Sequence, residues 1–397
     1  MVPSRVALIS AYFWPERLGC AAPISDVARY LKRNVGNLDV FAAVPHYPSK
    51  RAAINWDLVA NDELRDTPIV RAWVFDRSGG GFGIRLLNDW LFAAQACAAS
   101  VLMGSDWEAV MLLAPPALTI PWVRIAKPRT RLVAAVYDIE STLACETGIV
   151  PGKFSLFLNA FEGWCLNRAD AILVLTPQMK RTLESIGVKR PISVVPIWPS
   201  IEGGEPEKKK HSNTLMYAGG LARRHGSHVL PELWRQLQVN LPGSRLIIQG
   251  EESQFAETKK ALQEVGGEVT FRPTVPRDLL AQTLAESDLQ LVLVLDSASN
   301  SSIPSKAITS LAAGIPFLTN APLTSALADL ALTSGGGHVV SGGTPQALAE
   351  AATNLLGAPD ILRNMGISGG AYVRRAHSRN ELLQQYFDLL LGVSLLE

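Results

Sequence analysis

Short apolar runs recur along this chain, each followed by a loop of small or polar residues and then by a segment of helical spacing. Arg5–Ser10 (RVALIS), Leu38–Val44 (LDVFAAV), Ala109–Leu113 (AVMLL), Arg131–Val136 (RLVAAV) and Ala171–Leu175 (AILVL) form a first series, and Ile69–Phe75 (IVRAWVF) alternates like a further strand. A run without polar alternation has no wet face, so it reads as a strand buried on both sides, as in parallel sheets covered by helices. Regular βα alternation then predicts a doubly wound sheet with right-handed crossovers.

The periodicity stops at Pro196–Ser212 (PIWPSIEGGEPEKKKHS), whose prolines, glycines and mixed charges read as an interdomain linker. A second βα series begins at Thr214–Ala218 (TLMYA) and continues through Arg245–Gln249, Val269–Arg272 and Leu289–Leu295. The length of 397 residues exceeds one comfortable core and fits two domains. We place an N-terminal domain at 1–198, a linker at 199–212 and a C-terminal domain at 213–377, with the last helix, 378–397, packing back on the first domain.

Composition narrows the function. Lys and Arg number 37 against 36 Asp and Glu, a balance that argues against a general nucleic-acid binder. The four cysteines, Cys20, Cys97, Cys145 and Cys165, form no CxxC pair, so neither a metal site nor a disulfide framework is expected. No secretory leader is expected at the N-terminus, and the cytoplasm is the simplest compartment. Trp90–Met103 (WLFAAQACAASVLM) is shorter than a bilayer span and reads as a buried helix or as one lying on a membrane surface.

Candidate site residues cluster after strands, where open α/β sheets bind ligands. In the second series, Gly219, Gly220, Arg223 and Arg224 follow a strand directly; glycines admit a close phosphate and arginines donate to it. Ser301, Ser302, Pro304, Ser305 and Lys306 form a polar loop running into a helix N-terminus, with a lysine in the first turn. Free amides, the positive dipole end and a point charge there make an anion site. Glu251 ends another strand, where it meets a donor hydroxyl or starts a helix; Pro273 and Thr274 end the next. In the first series, Gly19 lets a backbone approach the end of strand one, and His46 lies on a loop between Pro45 and Pro48. Tyr137, Asp138 and Glu140 follow a strand, where the acids line a cleft, start a helix, or do both.

Four segments carry a family resemblance: YFWPE at Tyr12–Glu16, YDIES at Tyr137–Ser141, LTPQMKRTLESIGV at Leu175–Val188, and YAGGLARRHG with IPSKAITSLAAGIP. The chain resembles GT-B nucleotide-sugar glycosyltransferases of family 4, in particular bacterial colanic-acid and O-antigen fucosamine-transferase types. That resemblance implies an α/β GT-B fold of two doubly wound Rossmann-like domains facing across a cleft. It implies metal-independent, retaining transfer from a nucleoside diphosphate sugar, without a cofactor, to a lipid-linked saccharide. The setting it implies is exopolysaccharide or O-antigen synthesis at the inner face of the cytoplasmic membrane. By position, Arg224 and Lys306 would face the donor diphosphate, and Tyr137 and Asp138 the transferring sugar. The chain departs from the family pattern in three places. Gly220 stands where an arginine is common, Ser301 and Thr309 where paired glutamates are common, and Tyr137 where histidine is common. The alternatives are a non-catalytic GT-B partner subunit and a GT-B UDP-sugar epimerase.

Overall fold

The computed structural model describes residues 4–16, 20–46, 62–75, 82–103, 106–113, 116–146, 152–201, 211–221, 226–295 and 303–393. The chain divides into two compact units, Met1–Pro196 with Asn380–Glu397, and Ile197–Arg379.

The first unit is built on seven strands: β1 (Arg5–Ser10), β2 (Asn37–Ala43), β3 (Ile69–Ala72), β4 (Ala109–Leu113), β5 (Arg131–Val136), β6 (Ala171–Val174) and β7 (Ile192–Val194). Their spatial order is β3-β2-β1-β4-β5-β6-β7, every pair parallel. The winding direction reverses between β1 and β4, the switch point at which such sheets open a binding crevice. The central strands are buried beyond the half-buried arginines Arg5 and Arg131 that open β1 and β5, as their apolar runs require.

Helices cover the sheet where the loops permit. Pro177 opens the helix Pro177–Ser185 behind Thr176, whose Oγ1 accepts the Met179 N–H at 3.1 Å, a side-chain cap with proline in the first turn. The helix Pro116–Ala126, which the double proline Pro115-Pro116 concealed in the sequence, starts on a proline and carries Pro121 inside it.

The strand expected over Ile69–Phe75 ends at Ala72. Beyond it, side-chain amides replace the missing ladder partner. Gln95 takes the Trp73 N–H at 2.9 Å and donates to its carbonyl at 2.8 Å; Asn88 does the same for Phe75 at 2.8 and 3.1 Å.

The C-terminal helix, Arg379–Leu391, packs into the first unit. Tyr386, fully buried, donates its hydroxyl to Tyr137 at 3.2 Å, and Arg131 donates to the Leu389 carbonyl.

The second unit repeats the plan with β8 (Thr214–Ala218), β9 (Arg245–Gly250), β10 (Glu268–Pro273), β11 (Leu289–Leu291), β12 (Phe317–Thr319) and β13 (Gly337–Val339), ordered β10-β9-β8-β11-β12-β13 and wholly parallel. Its switch point lies between β8 and β11. The core centres on Tyr217, Trp234, Ile248, Leu289 and Leu318. β11 is shorter than the expected Leu289–Leu295. The Val292 N–H still reaches the Leu318 carbonyl at 2.9 Å, and the Asn320 amide then clasps Val294 through both its N–H and its C=O.

Residues read as the start of a linker belong to this unit. Trp198 and Ile201 are buried, the Ile197 carbonyl lies 2.6 Å from His377 Nδ1, and the Ser200 N–H donates to Thr309 Oγ1 at 3.2 Å.

Candidate active site

The second unit gathers its distinctive chemistry at the C-terminal ends of β8 and β9 and at the N-terminus of the helix Ser305–Ala312. β8 leaves the sheet through Gly219, whose φ of +128° is a conformation that glycine adopts readily and side-chain-bearing residues rarely do. The turn is fastened on every side. The Gly219 N–H donates to the Gln249 carbonyl at 2.9 Å, the Tyr217 hydroxyl to the Gly220 carbonyl at 2.8 Å, and the Leu221 N–H to Gln254 Oε1 at 2.8 Å. Gly250, ending β9, lies so close that a Cβ there would meet the Gly219 carbonyl oxygen at 2.7 Å. The backbone of two strand ends is thus pressed into one small, rigid turn.

Lys306 comes up beside it. Its helix begins at Pro304 without a side-chain cap and without an acid in the first turn, which leaves the positive dipole end uncompensated. The Lys306 stem runs past Gly219; a Cβ on that glycine would sit 3.7 Å from Lys306 Cδ. The residue as a whole is half-buried, but its Nζ is sealed from solvent and has no hydrogen-bond partner among the described residues. What it has is the face of Tyr217, 4.3 Å from the ring centroid. Burial pushes its pKa down to about 7. A buried ammonium without an acceptor is unfavourable, so the arrangement fits an anion that supplies the missing charge.

The remaining expectations for this unit sort by place. Glu251 follows Gly250 half-buried, and Pro273, paired in register with Gly250, stands exposed beside exposed Thr274 on the same edge of the sheet. Ser305 is exposed at the helix start and Pro304 half-buried. Gly219, Gly220, Glu251, Pro304, Ser305 and Lys306 therefore follow the strand ends of one sheet edge. Arg223, Arg224, Ser301 and Ser302 lie outside the described residues, as does Gly19. Thr309 is buried, its oxygen occupied by the Ser200 N–H.

In the first unit, Asp138 is exposed just past β5, and its charge is felt by Cys20 at the start of the helix Ala21–Asn34, whose thiol pKa is raised first by burial and then by Asp138. Glu140 opens the helix Glu140–Glu146 and pairs with Arg85. Burial works against the Arg85 charge, but Glu140 and Asp89 outweigh it and hold its pKa above the ordinary value. Glu162 supports this corner from below, accepting the Glu140 N–H at 3.1 Å and the Ser141 N–H at 2.9 Å; burial pushes its carboxyl up to about 7. Arg85 and Glu162 carried one sequence signal each: an arginine in the first turn after a glycine run, and a lone acid in an otherwise apolar helix.

Two further candidates of the first unit, Tyr137 and His46, are buried. Tyr137 is buried, with its hydroxyl bonded to Tyr386, so its ring packs the core. His46 is buried too: its N–H donates to Glu16 Oε1 at 2.5 Å, its Nδ1 lies 3.0 Å from the Val44 carbonyl, and its ring stacks on Tyr12 at 5.3 Å. Enclosed on these sides, it anchors residues 44–46 just beyond β2.

Comparison with known proteins agrees with this architecture. Residues 19–198 match the family model described as a glycosyl transferase 4-like domain, and residues 212–358 match glycosyl transferases group 1. No curated protein sequence matches the chain. Among solved structures, sucrose-phosphate synthase from Thermosynechococcus elongatus aligns at a TM-score of 0.72 and 16% identity, covering 98% of this chain and 100% of that one. Anabaena HepE in complex with UDP and glucose aligns at 0.71 and 14%, covering 98% and 99%. MurG of Acinetobacter baumannii aligns at 0.57 and 14%, covering 98% and 100%. With two glycosyltransferase models matching in succession and the fold shared end to end, the chain belongs to the GT-B glycosyltransferases of the family 4 type.

Proposed function

We propose that this enzyme moves a sugar from a nucleoside diphosphate sugar to a lipid-linked saccharide, in bacterial exopolysaccharide or O-antigen synthesis, with retention and without a resident metal or cofactor. The observation that carries the donor half is the Lys306 ammonium, buried beneath the Gly219 turn with no partner among the described residues but the Tyr217 ring. The neighbours solved with UDP or UDP-glucose support a donor of that class.

In this reading, the bond from the anomeric carbon to the β-phosphate oxygen breaks and its electron pair departs with the diphosphate. The acceptor hydroxyl oxygen bonds to the same carbon, and its proton leaves with the phosphate. Negative charge grows on the diphosphate as the bond breaks. Lys306, the amide end of its helix and, by resemblance, Arg224 stabilise that charge more in the transition state than in the ground state. Asp138, exposed at the end of β5, orients the acceptor or stabilises the cationic sugar. The setting is the inner face of the cytoplasmic membrane.

A thermal-shift screen of UDP, GDP and other nucleoside diphosphates tests the donor half: one base should stabilise the protein above the rest. Absence of stabilisation by any nucleoside diphosphate would overturn it. Hydrolysis of UDP-sugar without acceptor would favour the epimerase alternative. Donor stabilisation without turnover on any saccharide acceptor would favour a partner subunit.

A further inference from the structure

Two helices of the first unit are built inside out. In the helix Ser155–Leu166 the one charged residue, Glu162, points inward, while Leu156, Phe157, Ala160 and Trp164 face outward. Leu156 is 81% exposed and Phe157 70%. The helix Phe82–Met103 resembles it beyond its first two turns, which carry the half-buried Arg85 and Asp89. Its polar Asn88 and Gln95 are spent clasping the backbone of Trp73 and Phe75, and Ser100 donates to the Ala96 carbonyl within the helix. Its outer stripe runs Leu87, Trp90, Ala94, Ala98, Val101 and Leu102, the last 85% exposed. No charged residue occurs from Trp90 to Ser105. A helix facing water carries its polar residues outward; here Asn88, Ser100 and Glu162 are buried instead, and the outward positions are apolar.

The two form one layer. The helix Pro116–Ala126 packs between them, Trp90 meets Trp122 edge to face at 6.3 Å, and Ile125 continues the exposed apolar surface. Exposed large apolar side chains on three helices packed together mark an interaction surface.

The edge of the layer says what covers it. Lys153 and Arg168 bracket the helix Ser155–Leu166. Each lies on an aromatic ring, Lys153 Nζ 5.4 Å from the Phe154 centroid and Arg168 Cζ 3.3 Å from that of Trp164. Tryptophan and phenylalanine with cations drawn along their rings suit the zone where acyl chains meet headgroups, and two cations with no exposed acid between them suit anionic headgroups. Gly83–Met103 is long and apolar enough to cross a bilayer by length and composition alone. However, its inner face, with Phe92, Ala93 and Ala96, is buried in the unit, so the helix lies along a surface rather than through it.

We propose that this three-helix layer is a docking surface for an anionic lipid bilayer, with Leu156, Phe157 and Trp164 entering the acyl boundary. The proposal deepens the lipid-linked acceptor reading above and rests on it for its biological sense.

Flotation of the full chain tests it, using vesicles of phosphatidylcholine with and without phosphatidylglycerol and no nucleotide or acceptor. The wild type should float with the anionic vesicles, and less with phosphatidylcholine alone. The Leu156→Glu/Phe157→Glu double variant should lose about tenfold or more in vesicle affinity, because it replaces inserted apolar groups with charges the anionic surface repels. Both positions are exposed, so melting temperature and any UDP-induced shift should stay at wild-type values. Lys153→Glu should weaken flotation on anionic vesicles alone.

A wild type that fails to float, or a double variant that floats equally, would overturn the proposal. So would a wild-type dimer in sedimentation that becomes monomeric in the double variant with flotation unchanged, since the face would then join two copies of the chain. Flotation without transfer to a lipid-linked saccharide would sink the acceptor reading and leave the surface standing; transfer without flotation would do the reverse.

Discussion

The Lys306 ammonium nitrogen stands 4.3 Å from the centroid of the Tyr217 ring, and that ring is its sole compensation among the described residues. Tyr217 is fully buried and its hydroxyl donates to the Gly220 carbonyl, so the ring is fixed under the lysine by the Gly219 turn. A structural lysine would be expected to have an acceptor. Under the proposed donor reading, this one would make the unliganded protein less stable and would gain its partner when the diphosphate arrives. Lys306→Met keeps the stem and removes the charge. We expect a melting temperature at or above wild type, loss of the nucleoside diphosphate shift, and turnover lower by about 10²-fold or more. A destabilised variant with normal turnover would show that the lysine serves the fold.

The same burial predicts a pH dependence. In the unfolded chain Lys306 titrates near the ordinary lysine value of 10.5, and in the fold burial lowers it to about 7. Between those values the unfolded state holds the extra proton, so this residue makes stability rise with pH across that window; below about pH 7 both states are protonated and its contribution is flat. Lys306→Met should lack that rise. Nucleotide binding has the opposite sign, because the bound diphosphate favours the ammonium and binding takes up a proton above pH 7. Affinity should fall with pH there, by at most about tenfold per unit for one proton. Isothermal titration in buffers of different ionisation enthalpy reads that proton directly. A pH-independent affinity, with no proton taken up, would sink the assignment.

Gly219 offers a test that leaves the charge alone. Its φ of +128° strains any side-chain-bearing residue, although a Cβ there would meet Lys306 Cδ only at an ordinary 3.7 Å. Gly219→Ala should therefore act through the backbone, at a cost of about 1–3 kcal/mol, and shift the turn relative to Lys306. We expect a lower melting temperature together with weaker nucleoside diphosphate binding. Loss of stability with unchanged affinity would show that the turn does not touch the ligand.

The doubly wound plan was legible because strands buried on both faces spell themselves as unbroken apolar runs, such as Arg131–Val136. Strand ends were less so. Ile69–Phe75 and Leu289–Leu295 both look like longer strands, and in both the ladder gives way to side-chain amides, Asn88 with Gln95 and Asn320, whose partners lie elsewhere in the chain. Pro116 starts the helix Pro116–Ala126, since a proline in the first turn gives up no helix bond. Lys306 could be named from its position in a helix-opening segment, but its isolation depends on how β8 and β9 pack against that helix. His46 and Tyr137 looked like site residues because they follow strands. What encloses them, Glu16 with Tyr12 and the distant Tyr386, is set by tertiary packing.

Tyr386 provides the sharpest test of what the C-terminal helix does for the first unit. It is fully buried, and its hydroxyl donates to Tyr137 at 3.2 Å, with burial raising the pKa of both groups so that they stay neutral. Tyr386→Phe removes a neutral hydrogen bond and should cost about 1 kcal/mol. Tyr386→Ala empties a ring-sized space beneath β5 and should cost about 3–5 kcal/mol. The loss should fall on the unit that contains Met1–Pro196 and Asn380–Glu397. Calorimetry should then show an early transition that nucleoside diphosphate does not move, followed by a later one that it does. A single transition shifted as a whole by the nucleotide would mean that the two units melt together, and the division of labour drawn from these contacts would fail.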